Sequence, residues 1–175
     1  RPLRTRDLEA PIRSWAVGWP LLGGAEDARA SAHRWGLVAE GMRGDHFLEG
    51  GRDPLQAPKV PALGLLQGGV QRFLPTLQPA AWHPLQVARL GSMVLASVPG
   101  EPTTSLAREV ERGLSSVVEG AVRVMGFVGD YAGYFTTEGE YDVQHYEGAH
   151  TLYGRKSGRH LEHRLVALAD RKSVV

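Results

Sequence analysis

The strongest constraint on the fold comes from two apolar stretches that each end at a glycine and an acidic residue. Residues 92–98 are small and aliphatic, and the turn Pro99-Gly100-Glu101 follows them. Residues 121–128 are a second such stretch and end in Gly129-Asp130. Proline cannot donate to a sheet ladder, and glycine permits a tight turn. The two patterns therefore predict buried strands that stop at these residues.

A helix is predicted directly after the first turn. Residues 102–105 supply the proline and hydroxyl groups that are typical of a helix N-terminus. A core-facing stripe at four-residue spacing is formed by Leu106, Val110 and Leu114. Glu101 therefore lies between a strand end and a helix start, where ligand-binding groups gather in open α/β sheets. An acidic residue there also stabilises the positive end of a helix, and the residues alone leave both interpretations open.

All tyrosines of the chain lie in one segment, at Tyr131, Tyr134, Tyr141, Tyr146 and Tyr153. Two adjacent strands that end at Glu101 and just before Tyr131 are able to bring a carboxylate and a phenol into one pocket. His145 and His150 flank part of this cluster and are expected to have packing or supporting roles. Composition alone does not name the chemistry of such a pocket.

The overall composition excludes several classes of function. The 175 residues are enough for one domain with a substantial core, and the absence of cysteine excludes disulfides and thiol chemistry. Twenty basic residues against 19 acidic ones give no net field that favours nucleic acid. No apolar run is long enough to cross a bilayer, and no signal peptide is recognisable.

The predicted architecture is α/β, with mixed sheets and flanking helices. Residues 85–175 form a strand-helix-strand-helix portion in which helices are expected after residues 103, 137 and 158. Residues 1–84 are rich in glycine and proline and show little periodicity, apart from a short helix predicted over residues 28–42. So long an irregular segment is expected to pack on structure supplied by a partner segment.

The remaining histidines are weaker candidates. His160 and His163 stand at one-turn spacing on a predicted amphipathic helix, but no third ligand of the right type stands nearby. A metal site is therefore not predicted there. His33, His46 and His83 lie in segments that are predicted to be irregular, and they carry no motif.

Several motifs resemble one enzyme family in order and spacing over about seventy residues. They are Leu85-Gln86-Val87-Ala88-Arg89-Leu90-Gly91, Val98-Pro99-Gly100-Glu101-Pro102, Tyr131-Ala132-Gly133-Tyr134, Gln144-His145-Tyr146-Glu147-Gly148 and Thr151-Leu152-Tyr153-Gly154. The stretch resembles the C-terminal part of the catalytic domain of neutral ceramidases. These are zinc-dependent amidohydrolases that cleave the N-acyl bond of ceramide.

The resemblance implies roles for three residues. Glu101, in the Pro-Gly-Glu turn, and Tyr134, the second tyrosine of the Tyr-x-x-Tyr pair, match zinc ligands of the family. Tyr146 matches a catalytic residue that hydrogen-bonds the reacting centre and helps to stabilise the oxyanion. The alternative is that Tyr134 and Tyr146 are amphipathic core residues whose hydroxyls find local partners.

The family's site also requires two histidine ligands, an arginine and a catalytic serine, and their motifs are absent from this sequence. Two ligands do not complete a three-ligand catalytic zinc site. The chain is therefore expected to be a fragment or subunit that is inactive alone. Its partner would be the N-terminal half of the catalytic domain, on another chain or segment.

Three functions are consistent with these residues and motifs. The first is a zinc amidohydrolase acting on ceramide or a related N-acyl lipid. The second is an amide hydrolase of the same fold with a non-sphingolipid substrate, and the third is a non-catalytic structural subunit. A lipid substrate implies action at a membrane surface without a spanning helix. The resemblance further implies a secreted, periplasmic or cell-surface location.

Overall fold

A computed structural model describes residues 2–4, 15–25, 28–43, 56–62 and 82–170. The strands are β1 (Pro2–Arg4), β2 (Trp82–Pro84), β3 (Val87–Leu90), β4 (Met93–Ser97), β5 (Glu101–Pro102), β6 (Ala121–Met125) and β7 (Tyr134–Phe135). The helices are α1 (Ser31–Arg34), α2 (Thr104–Ser115), α3 (Glu138–Val143), α4 (Tyr146–His150) and α5 (Ser157–Asp170), and a 3-10 helix spans Trp19–Gly23. The predicted mixed α/β class is confirmed.

The described strands form three small sheets. Strands β1 and β2 are antiparallel, β4 pairs with β3 in antiparallel and with β6 in parallel orientation, and β5 pairs with β7 in parallel orientation. The chain continues from β4 into β5. The end of β6 and the residues after it remain hydrogen-bonded to this connecting segment. The Val98 amide donates to the Met125 carbonyl at 2.8 Å, and the Thr103 amide donates to the Phe135 carbonyl at 3.0 Å.

The helix predicted after the first turn is present and packs as expected. Helix α2 begins at the cap residue Thr103, whose side chain accepts a hydrogen bond from the Leu106 amide. The predicted stripe is fully buried, and it belongs to the same core cluster as strand residues and two leucines of α5. The core residues of the two helices include Leu106, Val110, Leu114, Leu161 and Leu165. Burying such a set of aliphatic side chains is the main stabilising contribution to this half of the fold.

A polar contact joins the starts of helices α2 and α3. Helix α3 begins with a capping box in which Thr137 and Glu140 each accept from the other's backbone amide. The Glu140 carboxylate also accepts from the Thr103 hydroxyl at 2.7 Å. One side chain therefore fixes both helix starts, directly beside the strand that carries Glu101.

Two parts of the first 84 residues lie against helix α4 and the residues after it. The Ala16 amide donates to the Leu152 carbonyl at 3.1 Å, and the Gly18 amide donates to the Ala149 carbonyl at 2.7 Å. Next to them, the Trp19 amide donates to the Val60 carbonyl at 2.7 Å. The division into a segment 1–84 that packs on a missing partner and a segment 85–175 stays a prediction.

Lys59 is buried in the seam between these segments, with 1% of its surface exposed. Its Nζ atom donates to the carbonyl oxygens of Ala16, at 3.0 Å, and Thr151, and lies 4.9 Å from the centre of the Tyr141 ring. Burial holds the pKa of Lys59 well below its ordinary value.

Three expectations about local structure were wrong, and one helix was not predicted. The helix predicted over residues 28–42 is limited to α1, because Gly36 adopts a positive φ of 72° directly after it. His33 lies in helix α1 and His83 lies in strand β2, whereas both were expected in irregular segments. The short helix α4 had no predicted counterpart, since five residues are too few to show a helical period. His46 lies outside the described residues.

Replacement of Gly100 by alanine tests how closely the two strand tips approach. A Cβ atom at Gly100 would overlap the Gly133 carbonyl oxygen and lie 3.2 Å from the Phe135 ring. The backbone oxygen cannot move without separating β5 from β7, so we expect Gly100→Ala to lower the free energy of unfolding by about 1–3 kcal/mol. Denaturant unfolding measures this change.

The matched control for that substitution is Gly139→Ala. Gly139 lies in helix α3, and a Cβ atom added there would meet no described atom within 4 Å. Alanine there is expected to leave stability unchanged or raise it by roughly 0.5–1 kcal/mol, because glycine weakens helices. Equal stability of the two variants would contradict a close approach at Gly100.

The burial of Lys59 predicts a particular dependence of stability on pH. The folded protein disfavours the ammonium form, so the unfolded chain binds more protons between the lowered pKa and the ordinary value of 10.5. The stability of the wild type relative to Lys59→Met is therefore expected to rise with pH across that interval, by up to about 1.4 kcal/mol per pH unit.

Denaturant unfolding at several pH values measures that difference. The exposed Lys156, changed to methionine, controls for the loss of one lysine charge. A constant or falling difference between wild type and Lys59→Met across this range would show that Lys59 is not desolvated in the folded protein.

Candidate functional site

Glu101 and Tyr134 lie side by side on two parallel strands. They are register partners in the pairing of β5 with β7, so their side chains leave the sheet at the same level. The Glu101 amide donates to the Gly133 carbonyl at 3.0 Å. Gly133 has a φ of 76°, a conformation that favours glycine, and this turn directs the chain into β7. The predicted meeting of a carboxylate and a phenol is present, but the two residues lie on the short strands β5 and β7 and not at the ends of the two predicted strands.

The Glu101 carboxylate lies beside two phenols, those of Tyr131 and Tyr134. The Tyr131 hydroxyl donates to Glu101 Oε1 at 2.7 Å. Burial first, and then a hydrogen bond to Glu101, raises the pKa of Tyr134 well above its ordinary value. The same two causes raise the pKa of Tyr131 to about 12. Both phenols therefore keep their protons at neutral pH while no cation competes for these oxygen atoms.

Tyr146 and His150 complete a cluster of rings around Tyr134. The ring centres of Tyr134 and Tyr146 are 5.7 Å apart and meet edge to face. His150 lies 5.3 Å from the Tyr134 ring and 6.3 Å from the Tyr146 ring. Helix α4 produces this arrangement, because its first and last residues are four positions apart and share one face.

His150 is a neutral member of this cluster. Burial, followed by the nearby Lys59, lowers the pKa of His150 below its ordinary value, and Glu101 opposes this shift. Its Nδ1 atom is buried and has no hydrogen-bond partner among the described residues. A buried ring nitrogen of this kind is a place for a water molecule or a polar ligand atom. His150 was expected only to pack or to support other residues.

The donor set agrees with half of a zinc site. Carboxylate and phenolate oxygens both serve as zinc ligands, and Glu101 and Tyr134 present them from adjacent register positions. Within the described ranges, no group of three or more His, Cys, Asp or Glu side chains is arranged to hold a metal. Glu101 and Tyr134 could supply two oxygen ligands to a metal ion. His160 and His163 lie apart from this pair, on α5.

Two concave surfaces lie away from these residues. One, of about 700 Å³, is formed between α2 and β6, and another, of about 290 Å³, lies beside β3 and the turn after α2. Neither is lined by Glu101, Tyr134 or Tyr146. The chemistry of the side chains, and not the depth of these surfaces, therefore identifies the site.

Sequence reasoning missed the residues that support Tyr131. The Asp130 carboxylate accepts from the Tyr131 amide at 2.8 Å and contacts His83 Nδ1 at 2.9 Å. His83 Nε2 in turn lies 2.8 Å from the Tyr153 hydroxyl. Asp130 was visible in the sequence as a strand-end acid, but nothing near His83 indicated a partner 47 positions away.

The sequence family that matches this chain is described as neutral/alkaline non-lysosomal ceramidase, N-terminal, and it covers residues 46–161. That range includes Glu101, Tyr134 and Tyr146. The chain belongs to the neutral/alkaline non-lysosomal ceramidase family. The family assignment based on the motifs is confirmed, whereas the placement in the C-terminal part of the catalytic domain stays a prediction.

Individual relatives carry ceramidase names. The chain is 39% identical to neutral ceramidase 2 of Arabidopsis thaliana over 41% of its own length and 11% of that protein. It is 41% identical to the neutral ceramidase of Mycobacterium tuberculosis over 41% of its own length and 12% of that protein. This ceramidase-family chain thus spans only about a tenth of the length of these curated relatives.

The fold is similar to that of solved ceramidases. A structure described as ceramidase complexed with C2 matches with a TM-score of 0.69 and 25% identity, over 98% of this chain and 28% of that one. The neutral ceramidase from Pseudomonas aeruginosa matches with a TM-score of 0.57 and 21% identity, over 98% of this chain and 26% of that one, which shows the fold alone. Of the described helices, none has the length and apolar character to cross a bilayer.

The raised pKa of Tyr134 is open to a spectroscopic test. In the metal-free protein, Tyr134→Phe is expected to leave the phenolate absorbance that develops between about pH 9 and pH 10.5 unchanged, because Tyr134 ionises above that range. The same comparison in denaturant calibrates the absorbance of one tyrosine. A loss of one phenolate from the folded protein in that range would show that Tyr134 is not buried against Glu101.

Proposed function

We propose that this chain forms part of a zinc-dependent amidohydrolase that cleaves the N-acyl bond of ceramide or a related N-acyl lipid. Glu101 and Tyr134 supply two ligands of the metal, and Tyr146 acts on the reacting carbonyl. The observation that carries the proposal is the shared register of Glu101 and Tyr134 on two parallel strands, in a chain of the ceramidase family.

The two proposed ligands differ in whether a proton must leave before the cation binds. The Glu101 carboxylate is already an acceptor and gives up no proton when it binds the cation. Tyr134 must lose its hydroxyl proton, which burial and Glu101 hold in place. Cation and proton therefore compete at Tyr134, and metal affinity rises with pH. When bound, zinc supplies Lewis-acid polarisation of a carbonyl and lowers the pKa of water.

Tyr146 is proposed as the hydrogen-bond donor to the reacting centre, and its position beside Tyr134 supports this role. Its ring meets Tyr134 edge to face at 5.7 Å, and it opens helix α4. Its hydroxyl is proposed to donate to the oxygen on which negative charge develops when the amide carbonyl is attacked. A donor in this position stabilises the transition state more than the substrate.

The remaining groups are proposed to come from a partner. The missing ligands, an arginine and the catalytic serine belong to the N-terminal half of the catalytic domain, on another chain or segment, and this chain alone is inactive. A lipid substrate places the complete protein at a membrane surface, in a secreted, periplasmic or cell-surface location. Other N-acyl amides and a purely structural role are the competing outcomes of the test below.

The proposal predicts different effects for ligands and for the oxyanion donor. In the complete protein with its partner half, Glu101→Gln and Tyr134→Phe are expected to lose bound zinc and release of fatty acid together. Tyr146→Phe is expected to keep its zinc while kcat falls roughly 10²- to 10³-fold. Metal analysis of the purified variants and assays on ceramide and other N-acyl amides measure both quantities.

Glu119→Gln is the matched control, because Glu119 is an exposed carboxylate in the turn after α2. It is expected to leave zinc content and rate unchanged. Zinc that survives Glu101→Gln would refute the ligand assignment. Absence of zinc and hydrolysis from the complete wild type would indicate a structural subunit, and hydrolysis of other N-acyl amides without ceramide would indicate a different substrate.

A further inference from the structure

A chain of hydrogen bonds runs from the protein core to Glu101. It starts at the buried Tyr153 hydroxyl, which meets His83 Nε2 at 2.8 Å. His83, with 1% of its surface exposed, continues through Nδ1 to Asp130 Oδ2 at 2.9 Å. Asp130 Oδ1 accepts from the Tyr131 amide at 2.8 Å, and the Tyr131 hydroxyl donates to Glu101 Oε1 at 2.7 Å.

In the middle of this series of hydrogen bonds, both Asp130 and the His83 ring have partners. The Tyr131 amide and then His83 lower the pKa of the Asp130 carboxyl, so Asp130 is ionised and only accepts. His83 Nδ1 therefore carries a hydrogen and donates to it. With Tyr153 at the other ring nitrogen, both nitrogens of the buried imidazole have partners. Such a satisfied polar network fixes the position of its members.

Tyr131 is held from three sides although 49% of its surface is exposed. Asp130 fixes its backbone, and Glu101 binds its hydroxyl. The Phe127 ring stacks on the Tyr131 ring, with 5.7 Å between the ring centres and an angle of 10° between the ring planes. Phe127 has a positive φ of 57°, which is rare and unfavourable for an aromatic residue, and its amide donates to the Gly100 carbonyl at 2.9 Å. A strained backbone thus supports a ring contact at the surface.

We propose that Tyr131 is a positioning residue for Glu101, and that Asp130, His83 and Tyr153 act on Glu101 through it. The Tyr131 hydroxyl fixes one carboxylate oxygen and leaves the other directed at the cation. The inference rests on the proposed function, because it takes Glu101 as a metal ligand. Partners of this kind orient a ligand before the metal arrives, and their loss typically weakens metal affinity 10- to 100-fold.

A purely structural role for the same contacts makes a different prediction. In that case Asp130 and His83 only join the turn after β6 to strand β2. Their loss would lower stability and leave zinc affinity unchanged. Zinc affinity is therefore the quantity that separates the two roles.

The test measures the zinc dissociation constant of the complete protein by competition with a chromophoric chelator. Tyr131→Phe is expected to weaken zinc binding 10- to 100-fold, with an unchanged melting temperature, because only an exposed hydroxyl is removed. Asp130→Ala is expected to weaken binding in the wild-type background. In the Tyr131→Phe background it adds little further loss, since Asp130 acts through Tyr131.

Tyr141→Phe is the control with the same chemical change. The Tyr141 hydroxyl is directed at Gln56, whose carbonyl accepts from it at 2.9 Å, so its loss is expected to affect stability and not zinc affinity. Unchanged affinity in Tyr131→Phe, with zinc lost in Glu101→Gln, would overturn this inference and leave the proposed function standing. Unchanged affinity in both variants would overturn the proposed function as well. Full additivity of Asp130→Ala and Tyr131→Phe would also contradict a route through Tyr131.

Discussion

The site depends on backbone pairing along one extended segment, residues 97–103. Its first residues bond to the end of β6, and its later residues bond to Gly133 and to β7. The Val98, Glu101 and Thr103 amides donate to carbonyl oxygens of residues 125, 133 and 135. These bonds fix the register, and a shift of one residue would turn each side chain to the opposite face. The relative position of Glu101 and Tyr134 is therefore a property of the backbone.

This pairing explains why small and polar residues gather at one sheet edge. Gly100 allows β5 to approach the turn at Gly133 closely, and the strands deliver one carboxylate and two phenols to a common surface. The carboxylate serves as hydrogen-bond acceptor while no cation is present. The same oxygen atoms form a hard donor set for a divalent cation. Helix α4 then adds a third phenol and an imidazole with one buried nitrogen that lacks a described partner.

The sequence predicted the parts of this account that depend on local pattern. The apolar strands, the helix after Glu101 and the meeting of Glu101 with Tyr134 follow from periodicity, turn residues and family motifs. The interactions of His83 and Lys59 were not predictable in this way. Each joins residues more than forty positions apart, and only the folded backbone brings them together. The helix expected over residues 28–42 was wrong because one glycine, Gly36, ended it.

The central claim is that Glu101 and Tyr134 hold one metal ion between two neighbouring strand ends. Anomalous diffraction at the zinc absorption edge, from crystals of the complete protein, tests it most directly. We expect one peak at about 2.0–2.2 Å from both a Glu101 carboxylate oxygen and the Tyr134 hydroxyl oxygen. A zinc peak at other residues, with no cation beside these two side chains, would contradict it.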